Sequence, residues 1–231
     1  GVVLKNVPGE TYQQMKFPGA PWSLKMACGE NPKRFYGGQG AAPMTRMGNV
    51  AGYRNAFIDA REYLGKLDDE EPPKQDLRLE TLAAAMNGEI QVQIHCYRAD
   101  EMAIMLDLAE EFDFKVAAFH HGVEAYKIAD RLAEAGTCGA LWADWWGFKA
   151  EAYDAVQENI LIVDRANEGR GCAVVHSDSA EGIQRLNQEA GKVIGVGRRA
   201  GIDIAPEHAV RWITQNAART LGIEDQVGTL E

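Results

Sequence analysis

From Gly88 onward, short runs in which apolar and polar positions alternate are followed by longer runs of helical period. Glu89 to His95 sets Ile90, Val92 and Ile94 between polar neighbours, the period of a strand, and Ala99 to Phe112 carries Met102, Met105, Leu106 and Leu108 at helical spacing. The order then repeats. Phe114 to Phe119 predicts a second strand, and about Val123 to Ala135 a helix that Gly136 closes. Cys138 to Trp142 reads as a third strand and Cys172 to His176 as a fourth, with helical stretches near Ala150 to Asn167 between them. Two helices complete the pattern, Ile183 to Arg199 and Pro206 to Leu221, the second with Pro in its first turn.

Upstream, Trp22 to Ala27 predicts a buried strand, and Val2 to Val7 is a candidate for another. Cys28 to Gly48 is rich in Gly and Pro without periodicity, Met47 to Leu64 has a helical pattern, and Leu67 to Lys74 (LDDEEPPK) is a charged, Pro-broken surface turn. No linker divides the chain, so residues 1–231 read as a single domain with six strands at most. Repeated strand–helix units imply an α/β fold with a parallel sheet and helices on its faces, either doubly wound or a barrel. A doubly wound cofactor-binding domain would place a Gly-rich turn after the first strand, and none is present. Gly195-Val196-Gly197 lies inside a helical stretch instead.

Composition narrows the class. A chain of 231 residues with 46% apolar content is long enough for one sizeable core, which excludes disordered, collagenous and coiled-coil classes. Its 24 basic and 34 acidic residues give a net charge of −10, with a pI near 5.1, which argues against nucleic acid as a partner. Apolar runs such as Ile160 to Val163 and Cys172 to Val175 are far shorter than a membrane span. No signal peptide can be read from Gly1-Val2-Val3-Leu4-Lys5, which leaves the compartment undecided. Cys28, Cys96, Cys138 and Cys172 are far apart and form no CxxC pair, so buried reduced thiols are expected.

Functional groups of parallel α/β folds collect where strands end. His95 ends one predicted strand, His120-His121 the next and His176-Ser177-Asp178 the last, while Lys25 lies within an apolar early strand. A single His at a strand end is most often a hydrogen-bonded core residue. Imidazoles and a carboxylate at three strand ends instead suit a catalytic zinc site with an open position. Strand alternation sends His120 and His121 to opposite sides, so only one can face the site. Glu30 falls in the loop after Lys25, where a solvated role competes with a ligand or substrate role. Tyr97 and Arg98 could hold a substrate carbonyl or carboxylate, although Arg98 is as well placed to pair with Asp100 or Glu101. Core packing accounts for Trp142, whereas Trp145 in the following loop could wall a substrate pocket. His176 alternates with Asp178 on one strand face and is a candidate to hydrogen-bond near the metal or to hold substrate.

Lys25 in LKMACGENPKRFYG, His95 in IHCYRADEM, His121 in FHHGVEAYKIAD, Asp178 in HSDSAEGIQRLNQEA and the closing RWITQNAARTLGIEDQVGTLE together resemble the metal-dependent amidohydrolase superfamily. Within it the chain is most similar to the imidazolonepropionase-related branch, which includes prolidase-type dipeptidases. The resemblance runs over essentially the whole chain. It implies a (β/α)8 TIM barrel whose mouth holds one or two divalent metals, zinc being the expected ion, that activate water against an amide, peptide or cyclic amide bond of a small-molecule substrate. Residue by residue, it assigns His95, His121 and Asp178 as metal ligands, with Asp178 also shuttling the proton. It assigns Lys25 as a carboxylated bridge between two metals, and a carbamate beside two cations is electrostatically favourable where an ammonium is not.

One departure is large. The family's first-strand His-x-His pair has no counterpart among the five histidines here, the fifth of which, His208, falls in a predicted surface helix. The expectation is therefore an incomplete barrel, covering about strands 3 to 8, without the first strands and the β-sandwich domain. A catalytically incomplete fragment that binds metal weakly or not at all is the alternative function. Raw sheet edges would then require the missing N-terminal segment or self-association.

Overall fold

Five of the alternating segments form one parallel sheet in the computed structural model, which describes residues 1–9 and 11–229. The strands are β1 (Trp22–Ala27), β2 (Ile90–Cys96), β3 (Val116–His121), β4 (Cys138–Leu141) and β5 (Ala173–Val175), and they lie side by side in chain order. Val2 to Val7 does not form a sixth, since only Leu4 makes an isolated antiparallel bridge, to Lys16. The helices in chain order are α1 (Tyr12–Met15), α2 (Glu30–Gly37), α3 (Arg46–Gly65), α4 (Leu77–Met86), α5 (Ala99–Phe112), α6 (Ala129–Glu134), α7 (Asn159–Gly169), α8 (Leu186–Arg199), α9 (Pro206–Arg211) and α10 (Gln215–Leu221).

Several helices depart from the sequence expectation for identifiable reasons. Cys28 to Gly48 contains α2, which starts directly after Gly29 at φ +81 with Glu30 favourably placed in its first turn. The segment read as a helix from Val123 opens with a 3₁₀ turn over Ala125–Ile128 before α6 begins. Helix α4 escaped the sequence pattern although Asp76 caps it, its carboxylate accepting from the N–H groups of Arg78 and Leu79 at 2.9 and 3.3 Å. The helix expected over Pro206 to Leu221 is two helices. Its break frees the Trp212 carbonyl to accept from Val175 N–H at 3.0 Å, at the outer edge of β5.

Strand register separates the two faces of the sheet. Lys25 lies opposite Gln93, Gln93 opposite Ala118, His95 opposite His120 and His120 opposite Ala140, so these residues share one face. Val92, Ile94, Phe119, Leu141 and Val175 share the other, where they are buried with Met102, Met105 and Leu108 of α5, Leu132 of α6 and Ile160 of α7. Burying one such aliphatic side chain contributes roughly 1.5–3 kcal/mol, so this layer dominates stability. Between Val92↔Val116 and Gln93↔Ala118 the register slips, which leaves Ala117 as the extra residue of a bulge. On the polar face, α10 is tied to the sheet by Asn216 Nδ2, which donates to the Ala173 carbonyl at 2.7 Å, and by Gln93 Nε2, which donates to the Thr220 carbonyl.

Two expectations need correction. Trp22–Ala27 is an edge strand with only Met26 buried, and Lys25 is exposed on it. Nor are all four cysteines reduced: Cys138 and Cys172 form a disulfide that links β4 to the residue before β5, while Cys28 and Cys96 are free and buried. Spacing along the chain could not reveal this, because the parallel pairing of β4 with β5 is what sets the two thiols side by side.

Candidate active site

The carboxyl ends of β2, β3 and β5 bring three imidazoles together. The His95 and His121 ring centroids are 4.6 Å apart, and those of His121 and His176 are 5.0 Å apart. His121 reaches this position through a backbone feature that strand alternation does not anticipate. Its φ is +77, a left-handed conformation costly for a residue with a Cβ, and Gly122 follows at φ +35. The turn swings the His121 ring back toward His95. His120 keeps the strand geometry and faces the same side by register, where its Nε2 lies 2.8 Å from Gln93 Oε1. The two histidines are thus not divided between opposite faces.

Burial keeps these rings neutral. Loss of hydration is the largest influence on each, lowering the pKa of His95 to about 4, of His120 to about 3, of His121 to about 2 and of His176 to about 4. Neighbouring cations, Lys149 and Lys25 at His95 and Lys25 at the others, push the same way, and Asp178 opposes them at His95 and His176. Asp178 is exposed beyond the end of β5. Lys25 is held below the usual ammonium range by partial desolvation, which the charge of Asp178 counters.

The remaining sequence candidates divide. Tyr97 is buried, stacks on His121 at 5.3 Å, and has its phenol pKa raised by desolvation and then by the charges of Glu151, Asp178 and Glu30. Arg98 pairs with Asp100, Nε to Oδ1 at 2.9 Å, at the start of α5. Glu30 opens α2, and its backbone N–H donates to Glu151 Oε2 at 2.7 Å. Trp145 is half-exposed with its ring 4.9 Å from that of Trp142.

A second layer was missed in the sequence. Glu101 and Glu151 are both buried and share Arg46, whose Nε donates to Glu101 Oε2 at 3.1 Å and whose Nη2 donates to Glu151 Oε2 at 3.0 Å. Gly29 N–H donates to Glu101 Oε1 at 2.9 Å, so the loop after β1 is clamped to both acids. Lys149 pairs with Glu151 Oε1 at 2.8 Å, donates to Asn31 Oδ1 at 3.2 Å and lies 4.2 Å above the Tyr97 ring. Asn31 Nδ2 in turn lies 3.2 Å from His95 Nε2. Glu101, Glu151 and Lys149 carry no sequence signal for this role, because each looks like an ordinary surface charge until tertiary structure buries it.

Neutral imidazoles are the donors a divalent ion takes, and two ring nitrogens here, His121 Nδ1 and His176 Nε2, are buried with no protein partner. In that respect the residues fit a metal. Among the described residues, however, no three His, Cys, Asp or Glu side chains converge closely enough to enclose an ion.

Two known proteins are similar to this chain, one in sequence and one in structure. The chain is similar to Amidohydrolase tasK of Hapsidospora irregularis, 31% identical over 236 residues, which is 93% of this chain and 23% of that protein. It is also similar to the crystal structure of an amidohydrolase from Thermotoga maritima MSB8, with a TM-score of 0.84 and 29% identity across 100% of this chain and 59% of that one. The chain thus spans about a quarter of the curated relative's length. No family model matches it. Both likenesses relate the chain to amidohydrolases, and the second relates its parallel sheet to a solved amidohydrolase fold.

Proposed function

We propose that this chain carries part of the active site of a metal-dependent hydrolase acting on an amide, peptide or cyclic amide bond, of the imidazolonepropionase-related, prolidase-like type, and that its sheet is part of a TIM barrel. The observation that carries the reading is the convergence of neutral His95, His121 and His176 at the carboxyl ends of β2, β3 and β5, with a buried ring nitrogen left without a partner at each of His121 and His176. In this reading a divalent ion, zinc being the favoured one, would be held by His95, His121 and Asp178, and Lys25, if carboxylated, would serve as a second-metal bridge. Such an ion would supply a bound water of lowered pKa and polarisation of the scissile carbonyl.

The chain's own groups do the rest. The Asp178 carboxylate, open to solvent, accepts the proton of the attacking water and passes it to the leaving nitrogen. Asn31, itself held by Lys149, contacts His95 Nε2 and positions its ring, and the clamp of Glu101, Arg46 and Glu151 holds the start of α2, which carries Asn31.

The test is metal content by elemental analysis together with hydrolysis of a panel of dipeptides and N-acyl amino acids. Bound zinc lost in His95→Ala and His121→Ala, with turnover lowered about 10²–10⁴-fold in Asp178→Asn, is the expected result. Metal-free protein that hydrolyses nothing after zinc is added would overturn it and favour a non-catalytic fragment.

A further inference from the structure

Among the described residues, four buried side-chain polar atoms lack a hydrogen-bond partner: His121 Nδ1, His176 Nε2, Glu151 Oε1 and Trp142 Nε1. All four belong to the candidate site or the residues packed on it. Buried polar groups are nearly always paired, so a cluster of exceptions marks the place where something from outside the chain completes the set. Chemistry sorts the four. The imidazole nitrogens can accept a metal or a proton, and Glu151 Oε1 already faces Lys149 Nζ at 2.8 Å as an ion pair. The Trp142 indole is different. It is a donor only, it cannot ligate a metal, and an oxygen acceptor is what satisfies it.

Trp142 lies at the end of β4 with 5% of its surface exposed, and its ring packs 4.8 Å from His121 and is nearly parallel to that of His176 at 5.8 Å. Trp145 and Phe148 also pack on it, with ring centroids at 4.9 Å and 5.8 Å. Those two residues are 40% and 51% exposed, so aromatic surface packed on the Trp142 ring is open to solvent. Leaving an indole N–H buried and unpaired costs about 1–3 kcal/mol, a cost that a bound acceptor removes.

We infer that Trp142 is a substrate-binding residue whose indole N–H donates to a carbonyl or carboxylate oxygen of the substrate, and that the exposed surface of Trp145 and Phe148 receives an aromatic side chain carried on the carbon next to that carbonyl. This deepens the amide-hydrolase reading and rests on it, for it names the substrate class as an amide bearing an aromatic side chain. A net hydrogen bond and one ring contact each contribute about tenfold or less in affinity, so the preference is graded rather than absolute.

The experiment is binding, which needs no turnover. Protein labelled with ¹⁵N at its five tryptophans is titrated with N-acetyl-L-phenylalanine amide and, separately, with N-acetylglycine amide, and the indole N–H resonances are followed. Trp142→Phe, which removes the N–H and keeps an aromatic ring, identifies the Trp142 signal by its disappearance. The expected result is a downfield shift of that signal with the phenylalanine probe, about tenfold weaker binding of the glycine probe, and roughly 3–10-fold weaker binding of the phenylalanine probe by Trp142→Phe. A Trp142 signal that stays in place while the phenylalanine probe binds would overturn the N–H assignment. Equal binding of the two probes, or binding of neither, would overturn the aromatic class. Zinc content and hydrolysis of other amides, measured on the same preparation, separate these failures from failure of the hydrolase reading.

Discussion

Gly29 shows how a single position couples the loop after β1 to the rest of the site. Its φ is +81, and a Cβ built there would lie 2.3 Å from Glu151 Oε2 and displace the acid that pairs with Arg46 and Glu30 N–H. Gly29→Ala is expected to lower stability by about 2–3 kcal/mol, from the left-handed backbone and the displaced buried carboxylate together, as a shift of the urea midpoint. An unchanged midpoint would show that the loop gives way freely. The buried histidines make a second prediction. Their folded pKa values of about 2 to 4 lie below the unfolded value of about 6.5, so the unfolded chain binds more protons at mildly acidic pH. Stability of the metal-free protein should therefore be full above about pH 6.5 and fall steadily as the pH drops toward 4. Urea midpoints that do not change between pH 7 and pH 5 would show that these rings are solvated.

At the level of elements, the disulfide between Cys138 and Cys172 joins β4 to the start of β5 and closes a loop with a sequence separation of 34. Loop closure of that length is worth about 3–4 kcal/mol, so reductant should lower the melting temperature by several degrees. Thiol titration of unfolded, unreduced protein should count two reactive cysteines, and a count of four would remove the cross-link. The long, strongly patterned elements were legible from sequence. Ala99 to Phe112 is helix α5 residue for residue, because its apolar stripe and its packing against β2 and β3 demand the same period. Short or irregular elements were not. Helix α2 is only eight residues long and buries none of them, too short to repeat an apolar stripe, and the continuous helix expected over Pro206 to Leu221 yields at Trp212, whose carbonyl finds a better partner in the β5 edge.

For the whole molecule, β1 and β5 are the outer strands of an open five-stranded order among the described residues. Their edges are less raw than expected. The Gly1 carbonyl accepts from Ser23 N–H at 3.0 Å, the Tyr53 hydroxyl accepts from Ala27 N–H at 3.0 Å, Asn49 Nδ2 donates to the Ala27 carbonyl at 2.9 Å, and Trp212 meets Val175. Apolar surface nevertheless stays open beside β1. A cavity of about 720 Å³ runs from Lys25 and His95 to Tyr36, Tyr53 and Phe57, and Trp22, Phe35, Met44 and Met47 are 44–80% exposed nearby. Surface of that kind is usually an interaction face. The chain alone is therefore expected to associate in a concentration-dependent way in sedimentation velocity, and a monodisperse species of 25.4 kDa at all concentrations would refute this.

The sequence by itself determined the alternation of strands and helices, the parallel sheet that follows from it, and the strand ends at which His95, His121 and His176 stand, because side-chain period and strand termination are local properties. Tertiary structure decided the rest. Whether His121 faces His95 depends on one left-handed backbone angle, whether Glu151 is a surface charge or a buried clamp depends on the approach of Arg46 and the β1 loop, and whether Trp142 is core or contact depends on the partner its indole lacks. Each of these is a relation between segments far apart in the chain, and burial, which creates the chemistry, exists only after they have packed.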